Sequence, residues 1–502
     1  MINNSYLTTS IPYVNAAPHL GHALEFVQAD VLARHRRQQG GVVRLLSGTD
    51  DNAMKNVTAA QAAGVPTAAF VDANASRFAE LITLLEVSLD DFIRTGSDPR
   101  HRAGVQRLWR ECAARGDFYQ REYTGLYCLG CEQFYDQRDL AAGWCLEHRR
   151  PLEQTTEVNW FFRLSRYSEP IEAAIRSSQL RIEPAERRNE VLALINSGLV
   201  DISVSRPATR ADGWGIPVPD DHEQVIYVWW DALANYVTAL DYGGDQFAYQ
   251  NWWRDAQERI HVIGKGITRF HAVYWLGLLL SAQQPLPTTI FVHEYVTEGG
   301  AKISKSAGTT VNPRALIQAY SVDAVRWWLL RDVARLGDTD FTIARLVQRY
   351  NQDLAGGLGN LVSRCTTLVR RFRDGSMDPG LLEHVPLLPI AQDLPSRIGE
   401  ALDRFDLRAA TAAILAAVAE ANCYLETERP WELGRAERET DTRTAAAARL
   451  DWMLTTLVAT ARAIAAEVQP FLPSGAERVL QRLGRGASVG DAGSPAFARI
   501  SP

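Results

Sequence analysis

The sequence predicts an α/β protein whose parallel sheet is split by an insertion and followed by an all-α helical bundle. Three observations carry that prediction. Short β-branched apolar runs alternate with helical periodicity near the start of the chain and again after about residue 225. Between about 118 and 224 the alternation lapses, and Cys, Gly and aromatic residues gather at 123–150. From 343 onward Leu, Val and Ala recur at helical spacing, as in ARLVQRYNQDLAGGLGNLVSRC and RLDWMLTTLVATARAIAAEV.

The elements follow in order. Residues 6–14 (YLTTSIPYV) read as a strand, Pro18-His19-Leu20-Gly21-His22 as a turn, and 22–39 as a helix. A second buried strand at 42–47 ends at Gly48-Thr49-Asp50-Asp51, and helices follow at 55–63, 66–87 and 98–116. After the Cys-, Gly- and aromatic-rich stretch at 123–150, mixed helical segments run to about 200. Strands return at 225–229 (VIYVW), 260–264 (IHVIG) and 289–293 (TIFVH). The expected divisions are a Rossmann-like first half at 1–117, an insertion at 118–224, a second half at 225–342, a helical domain at 343–482 and a loose tail at 483–502.

The 502 residues are 46% hydrophobic, ample for two or three cores. The net charge of −6 excludes a globally basic nucleic-acid binder, so any such partner must meet a local patch. No apolar run is long enough to span a membrane, and MINNSYLTTSIPYVN lacks the form of a secretory signal, so a cytosolic protein is expected. Only four of the 53 basic residues are lysine: Lys55, Lys265, Lys302 and Lys305. Lysines that persist against such a bias mark places where a compact ammonium is wanted.

Three motifs carry chemistry. His19-Leu20-Gly21-His22 lies between a strand and a helix, where phosphates meet helix N-termini. Two imidazoles three residues apart share a helix face and can donate to phosphate oxygens, and Gly21 admits a flat base. Lys302-Ile303-Ser304-Lys305-Ser306 follows Gly299-Gly300 and suits a mobile clamp on a polyphosphate. Each motif alone also fits a bland reading, capping histidines or a solvated basic loop; their pairing in one α/β unit is specific. Cys128-x-x-Cys131 and Cys145-x-x-His148 have the spacing of a four-ligand zinc knuckle, with every position taken and hence structural. The other cysteines, Cys112, Cys365 and Cys423, are scattered.

HLGH and KISKS together match the two signatures of the class I aminoacyl-tRNA synthetases. Longer stretches resemble the methionyl-tRNA synthetase family over about 470 residues: IPYVNAAPHLGH, GLYCLGCEQFYDQRDLAAGWCLEHRRPLE, SRPATRADGWGIPVP, YVWWDALANYVTAL, HEYVTEGGAKISKS, GNLVSR and ERPWEL. The resemblance implies activation of methionine with ATP and Mg2+, transfer to tRNA(Met), and one structural Zn2+. It implies phosphate chemistry at His19, His22, Lys302 and Lys305, and ATP contacts also at Gly21, Glu25, Gly264 and Lys265. The amino-acid pocket would be Ile11, Tyr13, Asp50, Trp229, Ala232, Leu233, Tyr236, Ile267 and His271, with Asp50 on the substrate ammonium. Asn360, Arg364 and Trp431 would read the anticodon, with Arg345, Arg349, Arg370, Arg371 and Arg373 as a nearby basic patch. A monomer is expected.

The chain departs from the family pattern in three places. Asp50-Asp51-Asn52-Ala53 stands for Asp-Glu-His-Gly, Gly264-Lys265-Gly266 for Gly-Lys-Asp, and Trp275-Leu276-Gly277 for Trp-Pro-Ala. The second removes a carboxylate expected near the ribose. These departures keep open a paralogue that activates another small amino acid, or an inhibitor-resistant variant. A non-catalytic tRNA-binding protein is a third reading, against which the retained HLGH, KISKS and Asp50 argue.

Overall fold

The computed structural model describes residues 4–128, 133–135, 144–145, 151–302, 311–437, 443–491 and 493–501. The chain divides into two compact units, one of residues 1–83 and 87–295, the other of 84–86 and 296–502.

The first unit is built on a six-stranded, all-parallel sheet. Its strands are β1 (Asn4–Thr9), β2 (Val42–Thr49), β3 (Asp91–Arg94), β4 (Arg181–Glu183), β5 (Glu258–Gly264) and β6 (Thr289–His293), in the spatial order β3-β2-β1-β5-β6-β4. The chain moves outward from β1 to β2 and β3, then restarts on the other side with β5 and β6. The crevice between the carboxyl ends of β1 and β5 is therefore the topological switch point, where doubly wound sheets bind ligands. β1 and β6 are buried almost throughout, as parallel strands covered on both faces must be.

Two regions differ from the expected elements. Residues 225–229 do not return the chain to the parallel sheet. Asp221–Ile226 is the middle strand of a small antiparallel sheet with Ser205–Pro207 and Pro217–Val218, and a helix, Val228–Thr238, begins immediately after it. Its Trp230, Ala232, Leu233, Ala234, Tyr236 and Val237 are all buried, so a helix buried on nearly every face reads like a strand over a short window. The helices expected before about 200 are present as Ser168–Arg176 and Ala185–Asn196, but they follow a long antiparallel ribbon that the sequence did not disclose. Phe118–Cys128 pairs antiparallel with Glu153–Phe162 over ten residue pairs. Phe118 and Phe162 at the base of that ribbon pack on Trp230, with ring centroids 5.2 and 5.6 Å away.

The second unit starts with a hairpin, Val296–Glu298 paired with Ala301–Lys302. Its two-residue turn, Gly299-Gly300, has φ of +59° and +74°, the conformation a tight hairpin requires and glycine supplies cheaply. Helices follow, including Gly359–Arg373, Leu407–Glu428, Pro430–Ala436 and Arg443–Val468. The tail is not loose. Phe497 is 3% exposed, Asn351 exchanges two hydrogen bonds with Ile500, at 2.7 and 3.0 Å, and Ser488 bridges to Ser376. One aromatic side chain with a cavity to fill is enough to pin an otherwise polar segment.

Candidate active site

The helix Leu20–Gln38 leaves the switch point directly after β1. His19 is its N-cap: Nδ1 accepts from the Gly21 amide, and His22 Nδ1 accepts from the His19 amide, both at 3.1 Å. The two rings stack, with centroids 3.8 Å apart. With both Nδ1 atoms used as acceptors, the neutral rings carry their protons on Nε2, the atoms able to donate to an oxyanion. Capping and phosphate binding are thus compatible uses of different nitrogens. Gly21 has a more local reason than room for a base: a Cβ there would sit 3.0 Å from His19 Cε1 and displace the ring.

Glu25, one turn further on, ties strand ends together. It accepts from the Ser10 amide and hydroxyl at 2.7 and 2.6 Å, and its other oxygen lies 3.0 Å from His293 Nε2. Lys265 follows β5 and pairs with Glu294 at 3.0 Å. Gly264 packs close to the His293 ring, which a Cβ would approach to 3.3 Å.

An aromatic cluster gathers around the turn that follows β1. Tyr13 and Asp50 form a parallel bridge, and the Asp50 amide donates to Pro12 O at 2.9 Å, so the residues after β1 and β2 are held side by side. Tyr13 meets Trp229 edge to face, and Trp229 stacks on Phe270 with centroids 3.5 Å apart. Ile11, Trp229 and Ile267 lean on the core that contains Leu233 and Tyr236, and Ala232 is buried on the same helix. His271 Nδ1 faces the Ile267 carbonyl at 3.0 Å, so it bears the proton and Nε2 accepts from the Tyr236 hydroxyl at 2.6 Å. Burial pushes the His271 imidazole down to about 4 and His261 well below its usual range. Both rings are neutral near pH 7.

Around Asp50 the substituted motif has partners of its own. Asn52 donates its amide to Asp50 Oδ1 at 3.2 Å and its side chain to Asp231 at 2.7 Å. The fully buried Asp231 also bonds His101 Nε2, whose Nδ1 meets Thr238. Asp51 pairs with Arg94 at 2.8 Å. At the third departure, a Cβ on Gly277 would come within 2.7 Å of Leu164 Cδ1, so a larger residue there would have to displace that side-chain tip.

Of the zinc-knuckle residues, Cys128 and Cys145 are buried and cluster together with Leu152. Cys131 and His148 lie outside the described residues, as do Ile303, Ser304, Lys305 and Ser306. Lys302 lies on the second strand of the hairpin, opposite Thr297, not in a loop.

In the second unit, Asn360 and Arg364 share a helix face turned toward Leu407–Glu428. Asn360 reaches Asn422 at 3.5 Å, and Arg364 pairs with Glu426 at 2.7 Å. Trp431 is half-buried in the first turn of Pro430–Ala436. The expected basic patch is largely neutralised. Arg345 and Arg349 share the buried Asp332, Arg373 pairs with Asp451 and Glu437, and Arg370 bonds the Gly490 carbonyl. A buried carboxylate such as Asp332 needs cationic partners, and takes them from the surface. Arg371 is exposed beside Phe372.

The reading of the sequence missed Phe270, His293, Glu294, Arg187, Asp231 and His101. His293 and Glu294 end a buried strand at the switch point, and that position alone could have singled them out.

An open parallel sheet with stacked histidines at a helix N-terminus beside its switch point is the arrangement of a nucleotide-binding α/β protein. The family model for tRNA synthetases class I (M) matches residues 5–150 and 139–366, and the chain belongs to that family. Similar sequences include a methionine–tRNA ligase of Rickettsia felis, 37% identical over 96% of this chain and 93% of that protein. Another, from Mycobacterium bovis, is 39% identical over 96% and 92%. The solved Mycobacterium tuberculosis methionyl-tRNA synthetase in complex with methionyl-adenylate matches with a TM-score of 0.91 at 35% identity, covering 99% of this chain and 100% of that one.

Proposed function

We propose that the chain joins L-methionine to ATP as methionyl-adenylate and transfers the methionyl group to the 3′ end of tRNA(Met). What supports this reading is that His19 and His22 follow β1 and Lys265 follows the adjacent strand β5, while Tyr13, also after β1, packs on Trp229 beside the core that holds Tyr236. In the first step a carboxylate oxygen of methionine attacks the α-phosphorus, the bond to the bridging oxygen breaks, and pyrophosphate leaves. The nucleophile is already ionised, so no general base is required, and catalysis is positioning and charge neutralisation. His19 and His22 donate from Nε2 to phosphate oxygens, and Lys302 and Lys305 neutralise the departing pyrophosphate. Mg2+ accompanies that pyrophosphate. Asp50 receives the substrate ammonium, and the neutral Tyr236–His271 pair lines the thioether site with Ile11, Trp229, Ala232, Leu233 and Ile267. In the second step a terminal ribose hydroxyl attacks the acyl carbon and AMP leaves.

Asn360, Arg364 and Trp431 read the anticodon, with Arg364 exchanging Glu426 for RNA. Cys128, Cys131, Cys145 and His148 hold one Zn2+; the joint burial of Cys128 and Cys145, 17 positions apart, fits a shared ion. That ion would fold the insertion and take no part in the reaction. The test is amino-acid-dependent exchange of labelled pyrophosphate into ATP across the standard amino acids. Methionine alone should support it at full rate, and a preference for another amino acid would overturn the assignment.

A further inference from the structure

The carboxylate that the resemblance places at position 266 is missing, and Gly266 is exposed. A carboxylate is nevertheless present beside Lys265, supplied by the neighbouring strand. Gly264 and His293 are register partners at the ends of β5 and β6, so the next residues of the two strands, Lys265 and Glu294, emerge together. The Glu294 side chain is fully buried and makes an ion pair at each oxygen. Oε1 takes Arg187, and Oε2 lies 3.0 Å from Lys265 Nζ. Arg187 also pairs with Glu190 at 2.8 Å.

One cation would have neutralised Glu294. Arg187 is bound to it in close contact and is itself a planar fork suited to a buried carboxylate. The second cation is therefore not explained by the needs of Glu294. The pairing serves Lys265, fixing an ammonium that also lies over the Tyr295 ring, 4.8 Å from its centroid. The same strand end is braced twice more: His293 donates from Nδ1 to the Glu294 carbonyl at 2.9 Å, and its Nε2 meets Glu25. Glu25 in turn holds Ser10 at the end of β1. Glu294 thus sits on a rigid frame that spans the switch point.

We propose that Glu294 is a positioning residue for the nucleotide, holding the Lys265 ammonium from the adjacent strand in place of the carboxylate missing at position 266. The proposal rests on the reading of this crevice as the ATP site. Glu294 itself does not touch substrate; it acts through Lys265. Gly266 lies beside Lys265 in a 3-10 turn, Lys265–Ile267, whose backbone an aspartate can adopt.

The experiment is methionine-dependent pyrophosphate exchange with the full-length chain, varying ATP and methionine separately. Glu294→Gln should raise KM for ATP on the order of tenfold or more and leave KM for methionine within about twofold. Glu294→Asp keeps the charge but withdraws it by one methylene, and should give an intermediate KM for ATP. Adding Gly266→Asp to Glu294→Gln should restore most of the loss. Equal changes in both KM values for Glu294→Gln and Glu294→Asp, or no recovery with Gly266→Asp, would overturn the proposal. Wild-type chain that shows no exchange at all would instead overturn the function on which it rests.

Discussion

Tyr236→Phe removes one oxygen from a fully buried pair, and the structure says what that oxygen does. The His271 Nδ1 proton is committed to the Ile267 carbonyl, so Nε2 is an acceptor whose partner is the Tyr236 hydroxyl at 2.6 Å. Phenylalanine keeps the ring and its packing on His261 and Trp275 but leaves Nε2 desolvated and unpaired. That costs about 1–3 kcal/mol. On the proposed reading that the two rings line the thioether site, much of the cost should appear in methionine binding, as a rise in KM for methionine of roughly tenfold to a hundredfold. The assay is pyrophosphate exchange with methionine varied at saturating ATP, alongside thermal melting. KM for ATP should hold steady. A variant that melts earlier but keeps its KM for methionine would show that the pair serves the fold alone, and would refute its place in the pocket.

Other outcomes follow from the same reasoning. His271 and His261 are held neutral by burial, His271 down to about 4. The unfolded chain binds those protons near pH 6.5, so stability should fall as pH drops from about 6.5 to 4, by about 3 kcal/mol for His271 alone, and His271→Gln should flatten the pH dependence of denaturant unfolding. Lys305→Ala should slow adenylate formation about a hundredfold or more in single-turnover assays, and near wild-type exchange would refute the role of the loop. Cys145→Ser should release about one zinc equivalent by metal analysis, whereas a wild-type protein purified without zinc would contradict the knuckle. Trp431→Ala should cut aminoacylation about tenfold to a hundredfold while leaving tRNA-free exchange intact; equal charging by both proteins would remove the anticodon assignment.

Much of the architecture was legible because the sheet is parallel and buried. Its central strands are apolar runs ended by polar turn residues, and TIFVH was read to the residue. The edge strands were not legible: Asp91–Arg94 and Arg181–Glu183 are four and three residues long and carry charges at both ends. The long Phe118–Cys128 ribbon was obscured by its polar outer positions, and Asp221–Ile226 by the buried helix that follows it. At the candidate site, the histidine pair showed in its spacing, and Asp50 in the family resemblance alone. Their supports did not. Glu294, Arg187, Asp231 and His101 act through contacts between residues far apart in sequence, such as His101 with Asp231, 130 positions away. No local pattern encodes such pairings, and the same holds for the arginines that Asp332 withdraws from the expected patch.

The central claim is that the crevice at the ends of β1 and β5 makes methionyl-adenylate. Its most direct test is to incubate the purified chain with ATP, Mg2+ and each amino acid in turn, and to measure label passing from pyrophosphate into ATP. The account predicts rapid exchange with methionine, without tRNA, and exchange far below it with every other amino acid. No exchange with methionine, or faster exchange with a different amino acid, would contradict it.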